Sequence, residues 1–188
     1  MDAEPLSITD AVATLVRGGI IACPTESVWG LSCDPFAEAT VLRLLQLKQR
    51  ALDKGLILVA ATPAQFDGLA DWSALPGDRV AAVQASWPGP NTWIVPATVK
   101  VPAWITGAHT GVALRVSAHP VVVALCRAFG GPMVSTSANR SNAPAPRTLA
   151  TFDPSLLAAL DGRVSGETGE RDRPSEIRDA RSDAILRG

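Results

Sequence analysis

Ile20-Ile21-Ala22-Cys23 runs directly into Pro24-Thr25-Glu26-Ser27-Val28-Trp29-Gly30-Leu31, and this junction decides the fold. Four consecutive apolar residues read as a strand buried on both faces. The next eight read as a polar turn bounded by Pro24 and Gly30, carrying a threonine, a glutamate and a serine. A buried strand that ends in a hydroxyl-bearing turn is how an open α/β sheet builds a ligand site at its strand ends. One helix later Lys48, Arg50 and Lys54 bring three cations towards the same strand ends, which points to an anionic ligand.

Outward from that junction, helices and strands alternate. Ile8, Val12, Leu15 and Val16 are spaced as one helix face, closed by Gly18-Gly19. Asp34-Pro35 opens a second helix ending at Lys48, and 56–61 is the next buried strand. Helices are expected over 76–85, 120–129 and 155–160. Strands are expected over 92–95, 112–116, 132–136, 163–165, 175–178 and 184–187. Alternation of this kind implies an α/β sheet. The tail strands follow one another too closely for helical crossovers, so antiparallel members are expected and the sheet should be mixed. We find no repeat and no interdomain linker, so residues 1–188 read as a single domain.

Composition narrows the classes. The 188 residues are 47% hydrophobic and 19% charged, which is globular rather than disordered. Net charge is −1, so attraction for a polyanion must come from a local patch. No apolar run is long enough to span a bilayer, and the acidic start is no signal peptide, which implies a cytoplasmic setting. Cys23, Cys33 and Cys126 form no Cys-x-x-Cys pair and read as reduced core thiols. His109 and His119 lie in loop contexts beside Gly or Pro and carry no evident chemistry.

Several segments could carry chemistry. Cations in a last helical turn, such as Lys48, suit the helix dipole without further function. Beside an extended turn they also suit triphosphate oxygens, Arg as a fork and Lys as a point charge. Arg115 stands inside the apolar strand Val112-Ala113-Leu114-Arg115-Val116. Burying an unpaired charge is prohibitive, so it must meet either a structural carboxylate or a ligand. Ser135-Thr136-Ser137-Ala138-Asn139 reads as a hydroxyl turn or as the lining of a polar pocket. Nothing fits a Walker loop, a dinucleotide-binding fingerprint, a nucleophile elbow or a zinc motif.

In order, these segments resemble the YrdC/TsaC family of threonylcarbamoyl-AMP synthases, in its short bacterial form. The resemblance runs through Pro24-Thr25-Glu26, Lys48-x-Arg50 with Asp53-Lys54-Gly55, Trp87-Pro88-Gly89-Pro90, Ala113-Leu114-Arg115-Val116, Ser135 to Asn139 and Pro174 to Asp179. It implies a twisted mixed parallel and antiparallel sheet, with flanking helices around a concave basic cavity. It implies a nucleotidyltransferase reaction: L-threonine, bicarbonate and ATP, with Mg²⁺ on the triphosphate, give threonylcarbamoyl-AMP and pyrophosphate for tRNA modification. Thr25, Arg115, Ser135 and Ser175 would hold threonine. Lys48, Arg50, Lys54, Ser137, Asn139 and Arg187 would hold the nucleotide, Lys48 and Arg50 being catalytic; no metal ligand is implied. Trp29 is an expected wall of the threonine pocket. Ala145 stands where some relatives place a serine. The implied partners are the transferase complex TsaB, TsaD and TsaE and, in the cavity, RNA. A net charge of −1 and no interleaving of aromatic with basic residues argue against RNA as the main ligand.

Overall fold

The computed structural model describes residues 4–171 and 175–187, with Arg187 described by its backbone alone. Its strands are β1 (Ile21–Pro24), β2 (Trp29–Ser32), β3 (Ile57–Ala60), β4 (Asn91–Pro96), β5 (Gly111–Val116), β6 (Met133–Ser137), β7 (Gly162–Arg163), β8 (Glu176–Asp179) and β9 (Ile185–Arg187). Its helices are α1 (Ile8–Val16), α2 (Glu38–Lys48), α3 (Gly77–Ala85), α4 (Ala103–Thr106), α5 (Pro120–Phe129) and α6 (Pro154–Ala158). The strands form one sheet in the order β7-β1-β2-β6-β3-β5-β4-β8-β9. The pairs β1–β7, β3–β5 and β4–β8 are parallel, and the other neighbours are antiparallel. The sheet is mixed, as the spacing of the elements implies.

One expectation is corrected at the junction itself. Residues 24–31 are not one polar turn: Trp29–Ser32 turns back as β2 and pairs with β1, Cys23 opposite Gly30 and Ile21 opposite Ser32. Only Thr25 to Val28 remain as the hairpin tip, closed by the Thr25 amide on the Val28 carbonyl at 3.2 Å. The Trp29 side chain is 2% exposed in the core, edge-on to Phe152 with ring centroids 6.3 Å apart. Its indole therefore serves packing, and it is absent from the lining of the cavity described below. The second helix also starts later than Asp34, at Glu38.

Side chains alternate across the strands and divide the core into two layers. Ile20, Ala22, Leu31, Leu58, Leu114 and Val134 join Leu44 of α2 and Val83 of α3 on one face. Ile21, Cys23, Val59 and Met133 meet Leu15 of α1 and Leu125 of α5 on the other. Each fully buried Leu or Ile contributes roughly 1.5–3 kcal/mol relative to exposure. Burial pushes the Cys23 thiol up to about 11 and those of Cys33 and Cys126 up to about 12, so all three stay protonated. They are free, buried packing residues.

Two short turns shape the cation segment, which packs against α4. Gln49 takes a left-handed conformation (φ 51°) to end α2, and a 3₁₀ turn follows over Leu52–Lys54. Gly107, after α4, packs against that turn with φ 63°. A Cβ there would lie 2.5 Å from the Asp53 carbonyl and 2.6 Å from the Gly55 amide. Gly107→Ala is expected to lower stability by about 1–3 kcal/mol through backbone strain. Urea unfolding followed by fluorescence would measure it, and an unchanged midpoint would show that the turn yields freely.

Candidate active site

One face of the central sheet changes character along its strands. Under α1 and α5 it carries Met133 and Val59, with the charged Arg115 next to Val59 on the neighbouring strand. The next rung places Ser135 beside Ile57, Ile57 beside Ala113, and Ala113 beside Ile94. These four floor a cavity of about 250 Å³. The β1–β2 tip walls one side with Thr25, Glu26, Ser27 and Val28; Arg50 and Lys54 wall another. Thr136 and Ser137, then Ala145, Thr106, His109, Ser175 and Ile177 complete the rim. The strand-end placement follows from the register, because the cluster under α1 and α5 ends at Met133 and Val59, one rung before the four floor residues.

Arg115 meets both demands that its position makes. It is 6% exposed and donates from Nη1 to Glu26 Oε2 at 2.5 Å and from Nη2 to Ser135 Oγ at 3.4 Å. It therefore has a structural carboxylate and also lines the cavity. Glu26 Oε1 accepts from the Ser117 hydroxyl at 2.6 Å and the Ala118 amide at 3.2 Å. Burial by itself would raise the Glu26 carboxyl, but the Arg115 charge and the Ser117 hydrogen bond together hold it below its ordinary value.

The other expected threonine contacts lie in the same lining. Thr25 is 7% exposed, and its hydroxyl donates to the Val28 carbonyl at 2.7 Å. That leaves the Thr25 oxygen as an acceptor towards the cavity. Ser175 arrives just before β8, where its Oγ accepts from the fully buried Thr92 hydroxyl at 3.1 Å.

The expected nucleotide contacts divide. Arg50, Lys54 and Ser137 line the cavity, whereas Lys48 and Asn139 do not. Arg50 Nη2 donates to the Gly55 carbonyl at 2.9 Å, which folds the cation turn onto itself. Lys48 is 3% exposed and donates its ammonium to the carbonyls of Ser137 and Asn139, the latter at 2.6 Å. Burial, then the nearby Arg50 charge, lower Lys48 to about 8. Asn139 donates Nδ2 to the Arg140 and Ala143 carbonyls, at 3.0 and 2.5 Å. Lys48 thus ties the end of α2 to the loop after β6. The side chain of Arg187 lies outside the described residues, as does Pro174.

Glu26, His109 and Thr92 carry contacts or lining positions that local sequence did not assign. The signal for Glu26 was indirect: a buried arginine needs an acid, and Glu26 is the acid beside Thr25. Among the described residues, no three His, Cys, Asp or Glu side chains cluster as metal ligands, and no helix is long and apolar enough to cross a membrane.

Comparison with known proteins places this geometry. The Sua5/YciO/YrdC family model, described as telomere recombination, matches residues 13–188. The chain belongs to that family. A threonylcarbamoyl-AMP synthase of Xanthomonas euvesicatoria pv. vesicatoria is 56% identical over 187 residues, 98% of each chain. One from Stenotrophomonas maltophilia is 56% identical over 184 residues, 98% of this chain and 99% of its own. Among solved Sua5/YciO/YrdC structures, P. abyssi Sua5 complexed with L-threonine superposes with a TM-score of 0.84 at 28% identity. The match covers 94% of this chain and 52% of that one, so this chain spans about half of the P. abyssi protein. E. coli YciO shares the fold at a TM-score of 0.79 and 22% identity, over 96% of this chain and 87% of its own.

The Arg115–Glu26 pair sets a pH dependence. Glu26 is held below its ordinary value in the folded chain, so its ionised form stabilises the fold fully above the unfolded value of about 4.3. That stability is lost as pH falls through the lower folded value. Glu26→Gln is expected to lower stability at neutral pH and to flatten the acid limb below pH about 4.5. Unfolding free energies across that limb check it; parallel curves for variant and parent would mean the pair carries no such linkage.

Proposed function

We propose that this chain is a threonylcarbamoyl-AMP synthase, joining L-threonine, bicarbonate and ATP into threonylcarbamoyl-AMP and pyrophosphate for tRNA modification. The carrying observation is 56% identity along 98% of both chains to the Xanthomonas synthase. The P. abyssi complex with L-threonine supports the amino-acid half of the reading. In this reading Thr25, Arg115, Ser135 and Ser175 hold threonine over the floor of Ile57, Ala113 and Ile94. Arg50, Lys54 and Ser137 face the nucleotide, with Asn139 and Arg187 in support. Lys48 contributes its charge from behind the loop that it holds.

The chemistry makes the chain a nucleotidyltransferase. The neutral threonine amine bonds to the bicarbonate carbon and water leaves, giving a carbamate. A carbamate oxygen then bonds to the α-phosphorus of ATP, and the bond to the β-phosphate oxygen breaks to release pyrophosphate. Such a transfer asks for alignment and for cations where negative charge develops. Arg50, in the lining, and Lys48, behind it, meet that need, and Mg²⁺ enters with ATP as part of the substrate. The product passes, in this reading, to TsaB, TsaD and TsaE in the cytoplasm.

Pyrophosphate release with each substrate omitted in turn tests the assignment: loss of signal without threonine or without bicarbonate is expected, and release from ATP alone would overturn it. Arg50→Ala is expected to lower kcat by about 10²–10³. Arg50→Lys should also be impaired, because a point charge does not replace a fork; near-normal turnover in both would remove Arg50 from the reaction.

Threonine should be preferred over serine by about 1–3 kcal/mol in kcat/KM, the worth of one methyl in an apolar pocket. Competition kinetics of the two amino acids measure this, and equal values would mean the methyl has no pocket.

A further inference from the structure

A buried ion pair is poor value as pure structure, since apolar residues of similar shape often replace one without loss of stability. Arg115 and Glu26 are such a pair, their side chains 7% and 12% exposed, and both line the cavity. Their arrangement has the form of a receptor for opposite charges on one small molecule. On Glu26, Oε1 accepts from Ser117 and Ala118 and Oε2 accepts from Arg115, and the residue's own backbone amide also reaches the carboxylate. Oε2, next to the guanidinium, has the fewer partners from elsewhere in the chain.

The Glu26 backbone is also fixed from behind. The Gly169 amide donates to the Thr25 carbonyl at 2.9 Å, and a Cβ on Gly169 would lie 2.5 Å from the Glu26 carbonyl oxygen. A hairpin tip so clamped presents its carboxylate at a set place beside the Arg115 fork. An α-amino acid carries its ammonium and carboxylate on a single carbon, so its two charges match an Arg–Glu pair held side by side.

We propose that Glu26 reads the α-amino group of the amino acid whose carboxylate Arg115 holds, and so selects α-amino acids over α-hydroxy acids. The inference rests on the threonine site proposed above. Glu26 accepts an N–H hydrogen bond from the ammonium and, once a proton has left, from the neutral amine. Its low proton affinity suits an acceptor that stays ionised throughout and does not itself take that proton.

Calorimetric titration of the full chain with L-threonine, and with the dihydroxybutanoate in which a hydroxyl replaces the α-amino group, tests this. The parent protein is expected to favour threonine by about 10- to 100-fold, the range of a charge-assisted hydrogen bond. Glu26→Gln is expected to reduce that preference to within about threefold, because the amino group and Glu26 form one coupled pair. Arg115→Met should weaken both ligands together. An unchanged preference in Glu26→Gln, with both ligands equally weakened, would show that Glu26 acts only by placing Arg115; it would overturn the proposal and leave the threonine site standing. Should Glu26→Gln fail to fold, the parent still decides: equal binding of the two ligands overturns the proposal without any variant. Absence of threonine binding by the parent would overturn the threonine site along with it.

Discussion

A guanidinium placed in the middle of an apolar strand must be answered, and much of this structure is arranged around the answer. Arg115 sits one rung from the cavity floor of Ser135, Ile57, Ala113 and Ile94, on an otherwise apolar strand. Its charge is met by a glutamate 89 residues away in the chain, carried on a hairpin tip. The tip reaches it because β1 and β2 pair tightly and because the segment at Gly169 backs Thr25 and Glu26. Removing either charge leaves the other buried, a change that typically costs 3–5 kcal/mol. The ion pair thus couples the strand floor, the hairpin and the loop that follows β5 through Ser117 and Ala118.

A second polar tie performs the same task on the opposite wall. Lys48 donates its ammonium to the carbonyl of Ser137, the last residue of β6, and to that of Asn139 in the loop that follows. A buried ammonium has three donors, and each one left unpaired would cost desolvation energy. The tie therefore fixes where Ser137 stands relative to Arg50. Positioning and charge are supplied by the same side chain, which explains why a cation outside the cavity lining belongs to the proposed machinery.

Much of the architecture was legible because it rests on periodicity. α1, α2, α5, β3 and β5 follow from apolar spacing, and Gly18, Gly130 and Pro120 mark helix ends. β2 escaped because Gly30 and Ser32 alternate with its apolar residues; its burial comes from β1 and β6 on either side, which no local window contains. Of the candidate site, Thr25, Arg50, Lys54, Arg115, Ser135, Ser137 and Ser175 could be singled out in the sequence, and they line one cavity. His109 was not legible, since an exposed loop histidine has no local mark of facing a cavity. Nor was the division between Arg50 and Lys48, because only the fold shows which cation faces the space and which faces the backbone.

The position of Ser175 extends the same logic to the far wall. β8 joins the sheet through β4, and the Thr92 hydroxyl, fully buried, meets the serine there. Around that junction Arg79 and Arg178 both approach the Trp93 ring, at 5.8 and 5.9 Å. Each also reaches Asp183 at 3.2 Å. Such cation–ring and ion-pair contacts are individually modest. Together they hold a tail hairpin whose own strands are half-buried or exposed and contribute little core. The cavity is thus bounded by a hydrophobic floor that the sheet would form in any case, and by three walls, each held by a separate polar contact. The floor is secured by area, which tolerates conservative change; the walls depend on small sets of directed hydrogen bonds and charges, where the loss of one partner leaves another unpaired.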